Sequence, residues 1–399
     1  MTILLAQKLD RVKPSATLAV SAKASALKAQ GEDILDFSAG EPDFDTPDFI
    51  KRAGIQAIEN GLTKYTIVDG TTSLKQAIVQ KFAKENSLHY EPNQITVSTG
   101  AKQVLFNAFT ALLNPGDEAI IPAPYWTSYP DMILLADGAP VIIRADAQSR
   151  FKITPIQLES AITSKTRILI LNSPSNPSGV VYTKEELVAL GKVLKNHPRI
   201  TIVTDDIYEH ILWTDTPFVN ILNACPGLYD RTLVVNGVSK AYAMTGWRIG
   251  YAGGPLPLIN AMRKIQSQST SNPNSIAQAA AQAALIGDQS FIQQMKSEFK
   301  RRHDFLFEAI NQIPGLNCQP TDGAFYMFIS AETAIKEMNI KTDVAFCESL
   351  LNEAKVALVP GSAFGMPGYV RMSYASDMKL LEEGILRIKT ALTSMLAVN

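Results

Sequence analysis

Between about residues 47 and 254 the chain alternates two textures. Stretches with apolar positions every three or four residues predict helices near 47–59, 71–86, 101–113, 126–136, 155–162 and 183–196. Short apolar runs ("QITVST", "EAIIP", "PVIIR", "TRILILN", "ITIVTD", "TLVVN" and "RIGYAGG") predict strands. Several of these runs lack polar alternation, as expected for a mostly parallel sheet covered on both faces. Strands joined by helical crossovers make an α/β fold. Upstream, residues 16–30 read as a helix closed by Gly31, and "DILDFSAGEPDFDTP" as a short strand entering a loop. After 254 the pattern changes to long helices near 255–265, 274–287 and 289–311. Shorter strands at "AFYMFI", "VALVP" and "YVRMSYA" and a last helix at 376–395 follow. This predicts a second, smaller α+β domain joined by a long helix.

Composition adds limits. A chain of 399 residues is too long for one compact core and predicts two domains or one with an appendage. A net charge of −1 gives no reason to expect nucleic acid or an anionic membrane as partner, so an anionic ligand must be held by a few placed cations. Cys225, Cys318 and Cys347 form neither a zinc spacing nor a disulfide framework, which fits a reducing compartment. The start "MTILLAQKLDRVKPS" does not read as a secretory signal, and no apolar run approaches the roughly 20 residues of a membrane span. A cytoplasmic, soluble protein is expected.

The strand ends carry the candidate chemistry, because that is where α/β sheets expose reactive groups. "ITVSTGAKQVLFNAF" runs from a strand into a helix at Gly100 and Ala101, an anion seat or an ordinary loop with a Ser or Thr cap. In "PAPYWTSYP", Tyr125 and Trp126 follow a strand, and the indole is either a plate for a planar ring or a core aromatic. "LILNSPSNPSG" sets Asn172 and Asn176 among prolines, either aiming an amide at a cleft or making a rigid turn. "ITIVTDDIYEH" ends a strand with Asp205 and Asp206, then Tyr208; period-two geometry lets only one of the two acids point inward. In "SKAYAMTGWRIGY", Lys240 is either a solvated loop lysine or a nucleophilic amine. Arg248 stands between apolar residues, where a cation is expected to have an anionic partner. Amine, carboxylate, phenol, amide, aromatic plate and phosphate seat together are the set that pyridoxal phosphate requires.

The stretch "GVSKAYAMTGWRIG" from Gly237 to Gly250 resembles the lysine signature of the class I, fold type I pyridoxal-phosphate aminotransferases, and closely that of the bacterial gamma-type aspartate aminotransferases. The resemblance covers nearly the whole chain through "KPSATLAV", "SAGEPDFDTP", "KYT", "TGAKQVLFNAF", "PYWTSYP", "NSPSNPSG", "DDIYEH", "GAFYMF" and "VRMSYA". It implies a large domain around a mostly parallel seven-stranded sheet at 46–288. An N-terminal arm and part of the small domain would occupy 1–45, and the rest of the small domain 289–399. It implies transfer of the amino group of L-aspartate to 2-oxoglutarate, with prephenate or aromatic amino-acid transamination as the alternative, in a homodimer with shared active sites.

By the same resemblance Lys240 is the Schiff-base lysine and proton shuttle, and Asp205 the partner of the pyridinium nitrogen; Asp206 stands where the family varies. Tyr208 and Asn176 are donors to the phenolate oxygen, and Trp126 stacks on the ring. Gly100, Ala101, Lys102, Ser239 and Arg248 surround the phosphate, although some relatives have a serine where Gly237 stands here. Tyr65 resembles the tyrosine lent to the neighbouring subunit's phosphate. Arg371 and Gly40 would take the substrate α-carboxylate, with Trp126 and Asn176 also at the substrate. Lys13, Ser15, Thr17 and Lys102 are candidates for aspartate's second carboxylate.

Two other classes fit parts of the sequence. "GVSKA" after a strand imitates a serine hydrolase's nucleophile elbow, with Ser239 as nucleophile; the sole histidine after it, His303, lies in "EFKRRHDF", which reads as a solvated face. A cofactor-binding regulator would need an added DNA-binding module, for which no room is expected before residue 16.

Overall fold

The non-alternating apolar runs form strands whose two faces are both covered. A computed structural model describes residues 3–397. Residues 1–2 and 398–399, counted above in the N-terminal arm and the small domain, lie outside the described residues.

The chain begins with α1 (Ala16–Ala29), where the Ser15 hydroxyl accepts from the Leu18 N–H at 3.4 Å. Strand β1 (Leu35–Asp36), α2 (Asp48–Glu59) and α3 (Thr72–Asn86) follow. Alternation then sets in with β2 (Ile95–Thr99), α4 (Ala101–Leu112), β3 (Glu118–Ala123), α5 (Ser128–Leu135) and β4 (Ala139–Arg144). It continues through α6 (Pro155–Ala161), β5 (Thr166–Asn172), α7 (Lys184–Lys195), β6 (Thr201–Asp205), a single turn α8 (Ile221–Ala224), β7 (Thr232–Gly237) and β8 (Ile249–Gly253). The C-terminal part holds α9 (Leu256–Ser267), α10 (Ser275–Ile286), α11 (Ser290–Ile310), β9 (Asn317–Cys318) and β10 (Tyr326–Ser330). It ends with α12 (Glu332–Glu337), α13 (Asp343–Ser349), β11 (Val356–Ala357), β12 (Val359–Pro360), β13 (Tyr369–Ser373) and α14 (Met378–Ala397). The short helices α8, α12 and α13 were not predicted from the apolar pattern.

A seven-stranded sheet runs in the order β2-β8-β7-β6-β5-β3-β4, with β8 antiparallel to both its neighbours. The other pairings are parallel. On one face Ile170, Val203 and Val235 pack with Val104 and Phe109 of α4, Ile133 of α5 and Met262 of α9. On the other, Leu169, Leu171, Ile202 and Val234 pack with Phe82 of α3, Leu190 of α7 and Ala280 of α10. Consecutive residues of β5 thus serve opposite cores, which is why the run carries no polar alternation.

A four-stranded sheet, β12-β13-β10-β9, packs Met327 and Met372 with Phe299 and Leu306 of α11 and Leu381 of α14. The run "VALVP" is not one strand: Val356–Ala357 pairs in parallel with β1, and Val359–Pro360 pairs with β13. Leu358 lies between two different sheets, and the β1 pairing ties residues 35–36 to the C-terminal part.

Strand β8 lies close to the N-terminus of α4. A Cβ added at Gly250 would stand 2.1 Å from the Ala101 nitrogen, a backbone atom that no rotamer change can move. Gly250→Ala is therefore expected to destabilise the protein by ~1–3 kcal/mol, read as a lower thermal midpoint with unchanged far-ultraviolet circular dichroism.

Candidate active site

Parallel strands end on one edge of a sheet, and here five of those ends supply the groups that face a cavity of about 420 Å³. Asn172 and Asp205 are register partners at the ends of β5 and β6. The Asn172 amide donates to the Asp205 carbonyl at 2.8 Å, and its Oδ1 accepts from the Asn176 N–H at 2.9 Å. Asp205 turns its carboxylate into the cavity, whereas Asp206 turns away and accepts from Thr204 Oγ1 and Asn220 Nδ2, both at 2.5 Å. One acid points inward, as alternation along a strand requires.

Lys240 follows β7. It is half-buried, and its ammonium donates to the Gly40 carbonyl. Burial is the first cause that holds its pKa down, to about 8 from 10.5; Glu41 opposes this, and Arg371 and Arg248 add to it. Burial likewise raises Asp205 to about 6, against hydrogen bonds from Tyr129 Oη and the Ile207 N–H.

Arg371, in the middle of β13, is only 2 % exposed. Its Nη1 donates to Asn176 Oδ1 at 3.0 Å and its Nη2 to the Ser38 carbonyl at 2.6 Å, while Nε has no partner. The guanidinium lies between the rings of Tyr326 and Phe364, at 4.5 and 5.1 Å. Tyr326 Oη is 2.7 Å from Tyr208 Oη, so the phenol of the 205–208 loop is coupled to β10.

At the opposite side, α4 starts from Gly100, which has φ +83° and no side chain to accept from the first-turn N–H groups. The Ser or Thr cap considered from sequence is absent. A Cβ at Gly100 would lie 2.2 Å from Arg248 Nη2, so only glycine lets the guanidinium reach this helix start. Arg248 donates to the Thr245 carbonyl at 2.7 Å. The expected anionic partner does not exist among the described residues: Arg248 forms no ion pair with any carboxylate, because the segment that carries it opens onto the cavity. Lys102 Nζ stands 5.0 Å above the Trp126 ring, and its pKa is lowered by burial and by Arg248.

The cavity thus brings together Gly40, Ala101, Lys102, Trp126, Asn176, Asp205, Tyr208, Ser239, Lys240, Arg248 and Arg371 from distant parts of the sequence. Ser15 and Thr17 line it too, whereas Lys13 is exposed outside it, engaged only through its N–H to Asp131. Gly100 packs behind Arg248 rather than on the cavity wall. Tyr65 is away from the cavity and 92 % exposed. Three participants were not singled out from sequence. Tyr129 and Tyr326 sit in quoted motifs as core-like aromatics, and Glu41, which accepts from Thr245 Oγ1 at 2.8 Å, reads as a loop acid. A signal existed for Tyr129, which follows Trp126 by three residues within the helix that the sequence predicts over 126–136.

The histidine of the hydrolase alternative does not line the cavity that holds Ser239. His303 is not on a solvated face: it is 5 % exposed, because the positions Phe299, Arg302, His303 and Leu306 make the buried side of α11. Its Nε2 accepts from the Thr321 N–H at 3.0 Å and its Nδ1 faces Asp304 at 2.9 Å. Arg302, in the same charged run, is buried by pairing with Asp43 at 2.7 Å and with Glu298 at 2.9 Å.

A half-buried amine, an inward carboxylate and cations that form no carboxylate ion pair among the described residues, at the C-terminal edge of a mixed sheet, are also the features of a known family. Residues 32–388 match the sequence profile described as Aminotransferase class I and II, and the chain belongs to that family. It is 58% identical over 395 residues to the aspartate/prephenate aminotransferase of Nitrosomonas europaea, covering 98% of this chain and 100% of that one. It is 50% identical over 391 residues to the aspartate aminotransferase of Rhizobium meliloti, covering 97% and 95%. Among solved structures, a Rhizobium meliloti aspartate aminotransferase superposes with a TM-score of 0.95 at 49% identity, covering 98% of this chain and 99% of that one. The Thermus thermophilus aspartate aminotransferase with maleate gives 0.92 at 40%, covering 98% and 100%. The fold is the α/β fold of these aminotransferases, and the chain is an aminotransferase.

Because the Lys240 pKa lies near 8, its amine is expected to react with acetic anhydride with a half-rise near pH 8. Exposed lysines titrate near ~10.4. Mass spectrometry of the peptide as a function of pH checks this; a half-rise at the ordinary lysine value would contradict the burial of the amine.

Proposed function

We propose that the chain transfers the amino group of L-aspartate to 2-oxoglutarate, with pyridoxal phosphate as cofactor. The observation that carries this reading is the grouping of Lys240, Asp205, Arg248 and Arg371 around one cavity, the three cations free of any carboxylate ion pair among the described residues. Their chemistry fits the cofactor: an amine for its aldehyde, a carboxylate for its ring nitrogen, and cations for a phosphate and a substrate carboxylate. Lys240 would hold the aldehyde, Asp205 the ring nitrogen, Tyr208 and Asn176 the phenolate oxygen, and Trp126 the ring face. Ala101, Lys102, Ser239 and Arg248 would hold the phosphate, with Gly100 behind them giving Arg248 room to act together with the helix start. When bound, the cofactor supplies an electrophilic carbon for the amino nitrogen and a ring that takes up negative charge.

The protein's own residues do the rest. Arg371 and the backbone at Gly40 bind the α-carboxylate; the unpaired Nε beside Nη1 and Nη2 leaves the guanidinium with donors to give. Asn176, bonded to Arg371, orients it. The Lys240 amine, near half neutral around pH 8, takes the proton from the substrate α-carbon and returns it in the reverse direction. Lys102, Ser15 and Thr17 at the cavity wall are assigned to the second carboxylate, and Lys13, lying outside, is given no part.

Relatives named for both aspartate and prephenate support a second reading, in which prephenate is the amino acceptor. The exposed Tyr65, outside its own cavity, supports a homodimer in which it serves the partner's site. We also propose that 46–288 forms the large domain and that 1–45 with 289–399 forms the small one, supported by the separate cores of the two larger sheets. Work in the cytoplasm is supported by three cysteines that are all free and buried. No helix among the described residues is long and apolar enough to cross a membrane.

Lys240→Ala is expected to lower multiple-turnover transamination from aspartate to 2-oxoglutarate by ~10³-fold or more, as loss of a proton-transferring group does. Retained turnover at a comparable rate would overturn the assignment. A panel of amino donors with 2-oxoglutarate and prephenate separates the two substrate readings.

A further inference from the structure

Tyr129 lies in the first turn of α5, three residues after Trp126, and its ring stands edge-on to the indole at 5.3 Å and 84°. It is 1% exposed. Its hydroxyl has one partner, Asp205 Oδ2 at 2.7 Å. An ionised carboxylate can only accept, so the phenol must donate. Burial first, and Asp205 next, hold Tyr129's pKa well above its ordinary value, so the phenol keeps its proton.

We propose that Tyr129 is a positioning residue whose phenol keeps the Asp205 carboxylate ionised and turned into the cavity, so that Asp205 can retain a proton on the ring nitrogen of the cofactor. This inference rests on the function proposed above. The groups facing Asp205 are few. Tyr129 comes from α5, Lys240 from the loop after β7, and Asp206 and Tyr208 from the carboxylate's own loop. Burial alone works against the charge, and Asp205 already stands at about 6 with its hydrogen bonds in place. Among the side chains of the described residues, the Tyr129 phenol is the one that hydrogen-bonds this carboxylate; the other bond is the longer one from the Ile207 N–H, at 3.3 Å. A hydrogen bond to a charged group favours the charged form by ~1.5–3 kcal/mol, equivalent to ~1–2 pH units. Without the phenol, Asp205 would be largely protonated at neutral pH. A protonated acid would not hold a proton on the ring nitrogen. The short segment from Trp126 into the first turn of α5 therefore serves both the face of the ring, through Trp126, and its far end, through the acid that Tyr129 holds.

The test uses the full-length chain in three forms: unaltered, Tyr129→Phe, and with 3,5-difluorotyrosine, a stronger donor of the same shape, at position 129. In protein with ¹³C-labelled aspartate, the infrared carboxylate band that vanishes in Asp205→Asn is followed against pH without cofactor. Pyridoxal phosphate affinity is then measured by tryptophan fluorescence over the same range. In Tyr129→Phe the Asp205 midpoint is expected to rise by ~1–2 units, and the acid limb of cofactor affinity to move with it. With difluorotyrosine both are expected to fall. Coincident titrations in all three proteins overturn the proposal. If Tyr129→Phe does not fold, the fluorinated protein decides alone, since a purely structural tyrosine would leave the midpoint unmoved. Failure of the unaltered protein to bind pyridoxal phosphate would overturn the reading of function instead, while the infrared titration judges the tyrosine independently.

Discussion

Crowded positive charge around one cavity is the constraint that the rest of the structure answers. Lys102, Lys240, Arg248 and Arg371 face one space without a carboxylate ion pair among the described residues, and the two arginines raise the cost of charging the lysines: Arg248 that of both, Arg371 that of Lys240. Such an arrangement survives only if the backbone that carries it cannot relax. The sheet supplies that stiffness: β5 to β8 are buried almost throughout, and the glycines at 100 and 250 let β8 and α4 approach closely. A flexible loop would let the cations move apart and find solvent.

The loop that carries Asp205 and Tyr208 is anchored from behind by a second set of charges. Glu209 accepts from Lys81, from Asn86 Nδ2 at 2.5 Å and from Asn236 Nδ2 at 2.7 Å, all buried. Asp206 is held by Thr204 and Asn220. Alternate residues of one short segment therefore serve the cavity and the interior. An ion pair buried this deeply adds little net stability, but removal of either partner leaves an uncompensated charge, so the pair fixes where the loop lies.

Much of the architecture was legible before any coordinates, because uniform apolar runs and helical periods depend on local side-chain pattern. Lys240, Asp205 and Asn176 were legible as candidates because they stand at or just after the ends of apolar strands, whereas Arg371 was legible only through the resemblance to the aminotransferases. What the sequence could not show were pairings between distant positions. Tyr129 and Tyr326 look like core aromatics until their hydroxyls are seen to meet Asp205 and Tyr208. His303 looked solvated because Lys300, Arg301 and Asp304 flank it, yet the helix turns that histidine inward. Arg248 was expected to have a counter-charge, a rule that holds for buried cations and not for one that borders a cavity.

The segment after β1 touches both halves of the cavity within a few bonds. The Phe37 N–H donates to the Ala357 carbonyl, the Ser38 carbonyl accepts from Arg371, and the Gly40 carbonyl accepts from Lys240. Two residues of extended chain span at most about 7 Å. The peptide is thus a covalent ruler between the guanidinium and the amine, and it holds their separation even where the two sheets are not directly bonded to each other. A residue inserted into or removed from this short stretch would therefore shift the amine and the guanidinium relative to each other.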